Sequence, residues 1–199
     1  WHLKIRKDVK DSRSAVGDYG VEAHAAFEKR LLKGKKLPMD LQHHEPFLAK
    51  LAAAPGEGMP EQKLALNAEF QPTGFFDNDV WLRVIIDYAK LSKDGTHVVV
   101  VDHKFGKMKD DFDQVELISA AFSCFRPEVE TFSAAYYWAK EKKFTRKKIM
   151  KEDLPEIWDG YLTRVDRLDK AIRQEEFPAK PNGLCRKYCP VRSCPYCGV

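Results

Sequence analysis

Two apolar, β-branched stretches, residues 80–91 and 96–105, are joined by Lys93-Asp94-Gly95, and this pairing constrains the fold more than any other feature of the chain. Asp-Gly between apolar runs favours a tight turn whose twist matches that of the strands it connects. A hairpin turning on Asp94 and Gly95 sets Leu91 against Val98 and Asp87 against Asp102. Each aspartate sits in an otherwise apolar strand, Val84-Ile85-Ile86-Asp87 and Val98-Val99-Val100-Val101-Asp102. Facing carboxylates repel, and each is costly to bury unpaired. A divalent cation would hold both. Lys104, two residues beyond Asp102 and therefore on the same strand face, adds a positive charge beside them. The competing reading places both aspartates at solvated strand ends, with Lys104 as an ordinary surface pair. A three-residue loop would also slip the register by one and separate the faces.

The flanking sequence predicts a helix over residues 14–32, from Val21, Ala25, Phe27, Leu31 and Leu32, stopped by Gly34. A shorter helix is expected over 41–54. Pro55, Gly56, Gly58 and Pro60 then break the chain before a polar strand over 62–71 and a Pro72-Thr73-Gly74 turn. Beyond the hairpin come a helix over 110–125, ended by Pro127, a strand over 129–138 and a long charged helix over 152–176. This order predicts an α/β protein with a mixed central sheet flanked by helices. No G-x-G-x-x-G or P-loop pattern is present. One domain, 1–199, is expected, in which 177–199 is an appended Cys-rich, metal-binding segment. The chain is 44% hydrophobic and 32% charged, which suits a soluble domain with a sizeable core, and no run approaches the roughly 20 apolar residues of a membrane span. Opening on Trp1 without a signal peptide, it reads as trimmed from a longer protein.

Two carboxylates and a lysine in this arrangement suit hydrolysis of a phosphodiester. Oxygen ligands hold Mg²⁺ or Mn²⁺, the ion lowers the pKa of a bound water, and the lysine stabilises developing charge. The first helix adds His24 and Glu28, four apart and on one face. With Ile86-Asp87, Asp102-His103-Lys104 and Gln114 on the next helix, the chain resembles the PD-(D/E)XK nucleases, and within them the RecB-like subgroup of phage exonucleases and CRISPR-adaptation nucleases. The resemblance implies a restriction-endonuclease-like fold. It implies His24, Asp87 and Asp102 as metal ligands, Lys104 as the catalytic lysine and Gln114 as a positioning residue beside the site. The subgroup often carries Tyr four residues after the glutamine; here Ile118 stands there. Glu61 and Glu69 could approach the site from the preceding strand.

Four thiols, Cys185-x3-Cys189-x4-Cys194-x2-Cys197, lie close enough in sequence to converge on one centre. Four cysteines alone suit a tetrahedral Zn²⁺ site. The resemblance implies a [4Fe-4S] cluster instead, held in RecB-like nucleases by three C-terminal cysteines and one near the N-terminus. No cysteine precedes Cys124 here, so Cys197 or a residue upstream of Trp1 would be the fourth ligand. Cys124 itself reads as core packing on an apolar helix face.

Residues 140–151 hold Lys140, Lys142, Lys143, Arg146, Lys147, Lys148 and Lys151 against the acid Glu141. They form a candidate phosphate-contacting strip or a solvated loop, and the tail adds Lys180, Arg186, Lys187 and Arg192. Phe144, Tyr188 and Tyr196 could stack on unpaired bases. The expected function is a divalent-metal-dependent DNA nuclease, by resemblance an exonuclease. Its expected partners are DNA with single-stranded ends and recombination or replication proteins, in the cytoplasm of a bacterial or phage-infected cell. The alternative is a non-catalytic nucleic-acid-binding module with a structural zinc site.

Overall fold

The computed structural model describes residues 15–198, so Ser14, the expected helix start, and Trp1 lie outside the described residues. Helix α1 (Ala15–Lys33) leads through a 3₁₀ turn (Met39–His44) into α2 (Glu45–Ala53). Strands β1 (Glu57–Leu66), β2 (Pro72–Thr73), β3 (Leu82–Leu91) and β4 (His97–Lys104) follow, then α3 (Asp113–Phe125), β5 (Thr131–Trp138), β6 (Lys143–Met150), a 3₁₀ turn (Lys151–Asp153), α4 (Leu154–Gln174) and α5 (Gly183–Lys187). The chain clusters into two compact units, Tyr19–Tyr161 and what is described of Trp1–Asp18 with Leu162–Val199.

The first unit carries one six-stranded sheet in the order β2-β1-β3-β4-β5-β6. Neighbours are antiparallel except β4 and β5, which run parallel with α3 as their crossover. This is the mixed α/β sheet predicted. One face packs on α3 through Val98, Val100, Val115, Ile118 and Phe132, and the other on α1 and α2 through Phe27, Leu48, Tyr88, Val101 and Tyr137.

The hairpin register is the expected one, with Leu91 against Val98 and Tyr88 against Val101. Asp94 holds the turn: its Oδ1 accepts from Ser92 Oγ at 2.6 Å and from the Thr96 N–H at 3.1 Å. Gly95 takes φ 75° there, a conformation that disfavours a side chain. The register ends at Tyr88 because β3 changes face. Val84 and Ile86 point to the α3 core, and so do Ala89 and Leu91, whereas Tyr88 points to the α1 core. Strict alternation therefore slips by one residue at Asp87. β1 slips at the facing position: Met59 points to the α3 core before it and Leu64 and Leu66 after it. The residue between, Glu61, has φ 49° and is skipped in the β1–β3 ladder, which runs from Pro60–Tyr88 to Gln62–Ile86. β3 stays paired with β1 along its length but leaves β4 at Asp87, so the sheet opens between the two aspartates.

Several expectations are corrected. The polar strand expected over 62–71 is β1, starting at Glu57 and ending at Leu66; residues 67–71 form a turn in which the Asn67 side chain accepts from the Glu69 and Gln71 N–H groups. Pro60 sits inside β1 because β2 covers only Ala65 and Leu66, leaving Pro60 on an edge that needs no donor. Helix α1 buries Ala23 and Phe27 with Leu31 beside them, while Val21 and Leu32 are exposed. At about 100° per residue, the latter two fall on the far side of the Ala23–Phe27 stripe. The helix expected over 41–54 begins as a 3₁₀ turn because Pro46 suits only the first turn of an α-helix. Residues 143–150, read as a charged strip or loop, form the edge strand β6.

The turn into β1 uses Gly56 at φ 111°, where a Cβ would stand 2.1 Å from the Leu91 carbonyl oxygen. Gly56→Ala is expected to destabilise the protein by about 2–3 kcal/mol through combined strain and clash, read as a lower midpoint of urea unfolding.

In the second unit, α4 stops at Glu175 (φ 53°), where Glu175 and Glu176 donate back to the Ile172 and Ala171 carbonyls. α5 is capped by Asn182, whose Oδ1 accepts from the Leu184 N–H at 2.9 Å.

Candidate active site

Asp87 lies where β3 leaves the hairpin ladder. Freed from strand pairing to β4, its Oδ2 accepts the His103 backbone N–H at 2.7 Å and lies 3.2 Å from His24 Nδ1 and 3.6 Å from His103 Nδ1. Burial pushes the Asp87 carboxyl up, but the His24 hydrogen bond and the His103 ring and N–H outweigh it, leaving the group below its ordinary value. His24 responds in the opposite sense: burial works against its charge, yet the Asp87 hydrogen bond and the charges of Asp87 and Asp102 hold its pKa above normal. It occupies the flank of the buried stripe of α1, which turns its ring towards the opened sheet.

Asp102 is 3% exposed and belongs to a closed triangle. Its Oδ2 pairs with Lys104 Nζ at 2.8 Å, its Oδ1 accepts from Gln114 Nε2 at 2.7 Å, and Lys104 Nζ donates to Gln114 Oε1 at 2.5 Å. Gln114 can close it because it stands in the first turn of α3, the crossover that follows β4, and only one orientation of its amide satisfies both neighbours. Burial first, and the Asp87 charge second, push the Asp102 carboxyl up to about 6 despite Lys104. The Lys104 ammonium also lies 5.2 Å from the centroid of the Tyr136 ring.

His24, Asp87, Asp102, Lys104 and Gln114 are thus gathered around the opened sheet. They divide into an Asp87–His24 pair and an Asp102–Lys104–Gln114 triangle. Among the described residues, the group whose ligand atoms lie within 4.8 Å of one another is His24, Asp87 and His103; Asp102, expected as the third ligand, lies outside that group and is bonded to Lys104 and Gln114. The donor set of imidazole nitrogens and a carboxylate suits a divalent ion. Both ring nitrogens of His103, 2% exposed, have no hydrogen-bond partner among the described residues. Such a group costs about 1–3 kcal/mol when left unmet. Burial lowers its pKa to about 4, so the ring is neutral and its lone pair free.

Glu61 faces Asp87 across β1 and β3, and burial, then Asp87 and Glu28, raise its carboxyl pKa. The strained φ at Glu61 has no sequence signal. Glu69 sits instead in the turn over 67–71 and is exposed. Ile118 is 2% exposed within the α3 core, so this position packs the sheet and presents nothing to a substrate.

On β6, Lys143, Arg146, Lys147 and Lys148 are exposed. Lys147 pairs with Glu116 at 2.5 Å. Phe144 packs on Phe47 and Tyr137, with the Arg146 guanidinium 4.8 Å from its ring centroid, and so belongs to the aromatic layer. Tyr188 and Tyr196 are exposed. Cys124 is half-buried against the α3 core, as expected, and burial raises its thiol.

In the tail, Cys185, Cys189, Cys194 and Cys197 are free thiols. The Gly198 N–H donates to the Cys185 carbonyl at 3.1 Å, tying the two ends of the cysteine loop, but among the described residues no three of its sulfurs gather within 4.8 Å of one another, so the expected convergence on one centre is not formed. Asn182 N–H and Arg192 Nη1 reach the Cys185 and Cys197 sulfurs at 3.5 and 3.6 Å.

A mixed sheet that parts beside one acid, with an acid-x-lysine triplet on the next strand and a crossover helix following it, is a restriction-endonuclease-like fold. The sequence model of the PD-(D/E)XK nuclease superfamily matches residues 2–195, and the chain belongs to that superfamily. No curated protein matches it. Membership makes it a metal-dependent nuclease, a hydrolase with a nucleic-acid substrate, of a family that uses Mg²⁺ or Mn²⁺. Among the described residues no helix is long and apolar enough to cross a membrane.

Proposed function

We propose that the protein is a DNA exonuclease in which His24, Asp87 and Asp102 hold one or two divalent ions, Lys104 is the catalytic lysine and Gln114 positions it. The observation that carries this reading is the Asp102–Lys104–Gln114 triangle set beside the Asp87–His24 pair. When bound, the ion supplies Lewis acidity at the phosphate and a water of lowered pKa. Asp87 and Asp102 provide the anionic charge that holds it. Gln114 anchors the Lys104 ammonium, so its charge is aimed before substrate arrives, which is the condition for electrostatic preorganisation. The exposed cations of β6 supply a sequence-independent grip on the phosphate backbone.

The Cys185, Cys189, Cys194 and Cys197 loop carries a [4Fe-4S] cluster in this reading, with Zn²⁺ as the alternative occupant. Support comes from the loop's closure through Gly198 and from the N–H groups directed at two sulfurs. Matching iron and sulfide with visible absorption near about 400 nm is expected; zinc without colour would reverse the assignment. A substrate of DNA ends fits work beside recombination or replication proteins in the cytoplasm of a bacterial or phage-infected cell.

The test is cleavage of end-labelled single- and double-stranded DNA and RNA with Mg²⁺, Mn²⁺ or EDTA. Cleavage of DNA from its ends that stops in EDTA and in an Asp102→Ala, Lys104→Ala double variant is expected; cleavage surviving the double variant rejects the site. Ion binding should also track the Asp102 and His24 protons. Both Asp102, whose carboxyl is pushed up to about 6, and His24, whose pKa is raised, must release a proton to hold a cation, so Mn²⁺ affinity is expected to fall as the pH drops by up to about tenfold per pH unit for each of the two protons, measured by calorimetric titration.

A further inference from the structure

Resting on the reading that this site holds a divalent ion, we infer that His103, the middle residue of Asp102-His103-Lys104, is itself a ligand, so that two imidazoles bias the site towards Mn²⁺ over Mg²⁺. Alternate residues of a strand point to opposite faces. Asp102 and Lys104 turn to Gln114 on α3, and His103 therefore turns to α1. There its ring lies among those of Phe27, Phe47 and Tyr137, at centroid distances of 5.1, 5.9 and 6.3 Å. A phenylalanine would fill that space with no polar atom to satisfy.

The imidazole instead leaves both ring nitrogens without a hydrogen bond among the described residues, at 2% exposure. Buried polar groups are almost always bonded, and an orphaned one asks for a missing partner. The surroundings of Nδ1 suit a cation as that partner. Asp87 Oδ2 is 3.6 Å away, His24 Nδ1 lies 3.2 Å from the same oxygen, and each of the three residues offers one ligand atom within 4.8 Å of the other two. They come from α1, β3 and β4, so the convergence is produced by the fold and not by neighbours in sequence. Two imidazole nitrogens added to the carboxylates favour first-row transition ions over Mg²⁺, which prefers oxygen ligands and dehydrates reluctantly.

The experiment reads ligands directly, with Mn²⁺ alone as probe. Pulsed electron paramagnetic resonance of the Mn²⁺-loaded protein detects ¹⁴N nuclei bonded to the ion. Nitrogen coupling is expected in the intact protein, to persist in His24→Gln, and to disappear in the His24→Gln, His103→Phe double variant. In His103→Phe alone, competition titration should show the preference for Mn²⁺ over Mg²⁺ reduced by at least about tenfold. Circular dichroism melting checks that this ring-for-ring replacement folds; should it fail to fold, the His24→Gln spectrum decides alone. Mn²⁺ bound to His24→Gln without nitrogen coupling overturns the assignment while leaving the nuclease reading intact. Absence of Mn²⁺ binding to the intact protein overturns both.

Discussion

Asp102→Asn is expected to raise the melting temperature of the metal-free protein at pH 8 while abolishing cleavage. The carboxyl of Asp102 has its pKa raised from 3.8 to about 6, first by burial and then by Asp87. A raised carboxyl pKa means that the folded state holds its proton more tightly than the unfolded chain does. Its contribution to stability is fully present below pH 3.8, drains away as pH rises to about 6, and is absent above that. At about 1.4 kcal/mol per pKa unit, the ionised carboxylate costs the fold about 3 kcal/mol at pH 8. Asparagine keeps an acceptor for Gln114 and removes the charge. Loss of the Lys104 pair takes back part of the gain, so an increase of several degrees is expected by calorimetry, shrinking towards zero as the scan is repeated at pH 5 and pH 4. With saturating Mn²⁺ the order inverts, because the intact protein gains ion-binding energy that the variant has lost. A variant that melts lower at pH 8 would contradict the burial argument.

The second large effect is expected from Lys104→Met. Its ammonium neutralises Asp102 and is held by Gln114. Removing one such preorganised charge commonly costs a factor of about 10²–10³ in rate. Here the loss is expected to reach at least that range in single-turnover cleavage at pH 7, because Asp102 without its lysine also retains its proton further above pH 6. Raising the pH should recover part of the loss in the variant and little in the intact protein. Lys104→Arg should not restore the rate: a planar guanidinium cannot occupy the point-charge position shared by Asp102 Oδ2, Gln114 Oε1 and the Tyr136 ring.

How much of this was legible in the residues depended on how local each determinant is. The hairpin was, because Asp94-Gly95 specifies its turn within four residues, and with it the neighbourhood of Asp87 and Asp102. Gln114 was legible through family resemblance, and its bridging role follows from the position of α3. Strand β6 was not: only Ile149 of its eight residues is fully buried, so an edge strand of lysines reads as a loop until β5 supplies its hydrogen bonds. The face on which Asp87 points was not legible either, since it depends on a slip shared by two strands with no glycine to announce it. His103 counted only as one histidine among six; its significance lies in what does not bond to it, which no spacing rule carries.

That shared slip has a mechanical corollary. Residues 82–86 are tied to β1 and have no rungs to β4, whereas 88–91 are bound on both sides. The sheet is therefore stapled below the acids and forked above them. Above the acids the two halves are joined instead by side chains, Val84 and Ile86 being buried in one core with Val98, Val100 and Ile118, so the seam beside Asp87 is held by packing where a regular sheet would be held by hydrogen bonds.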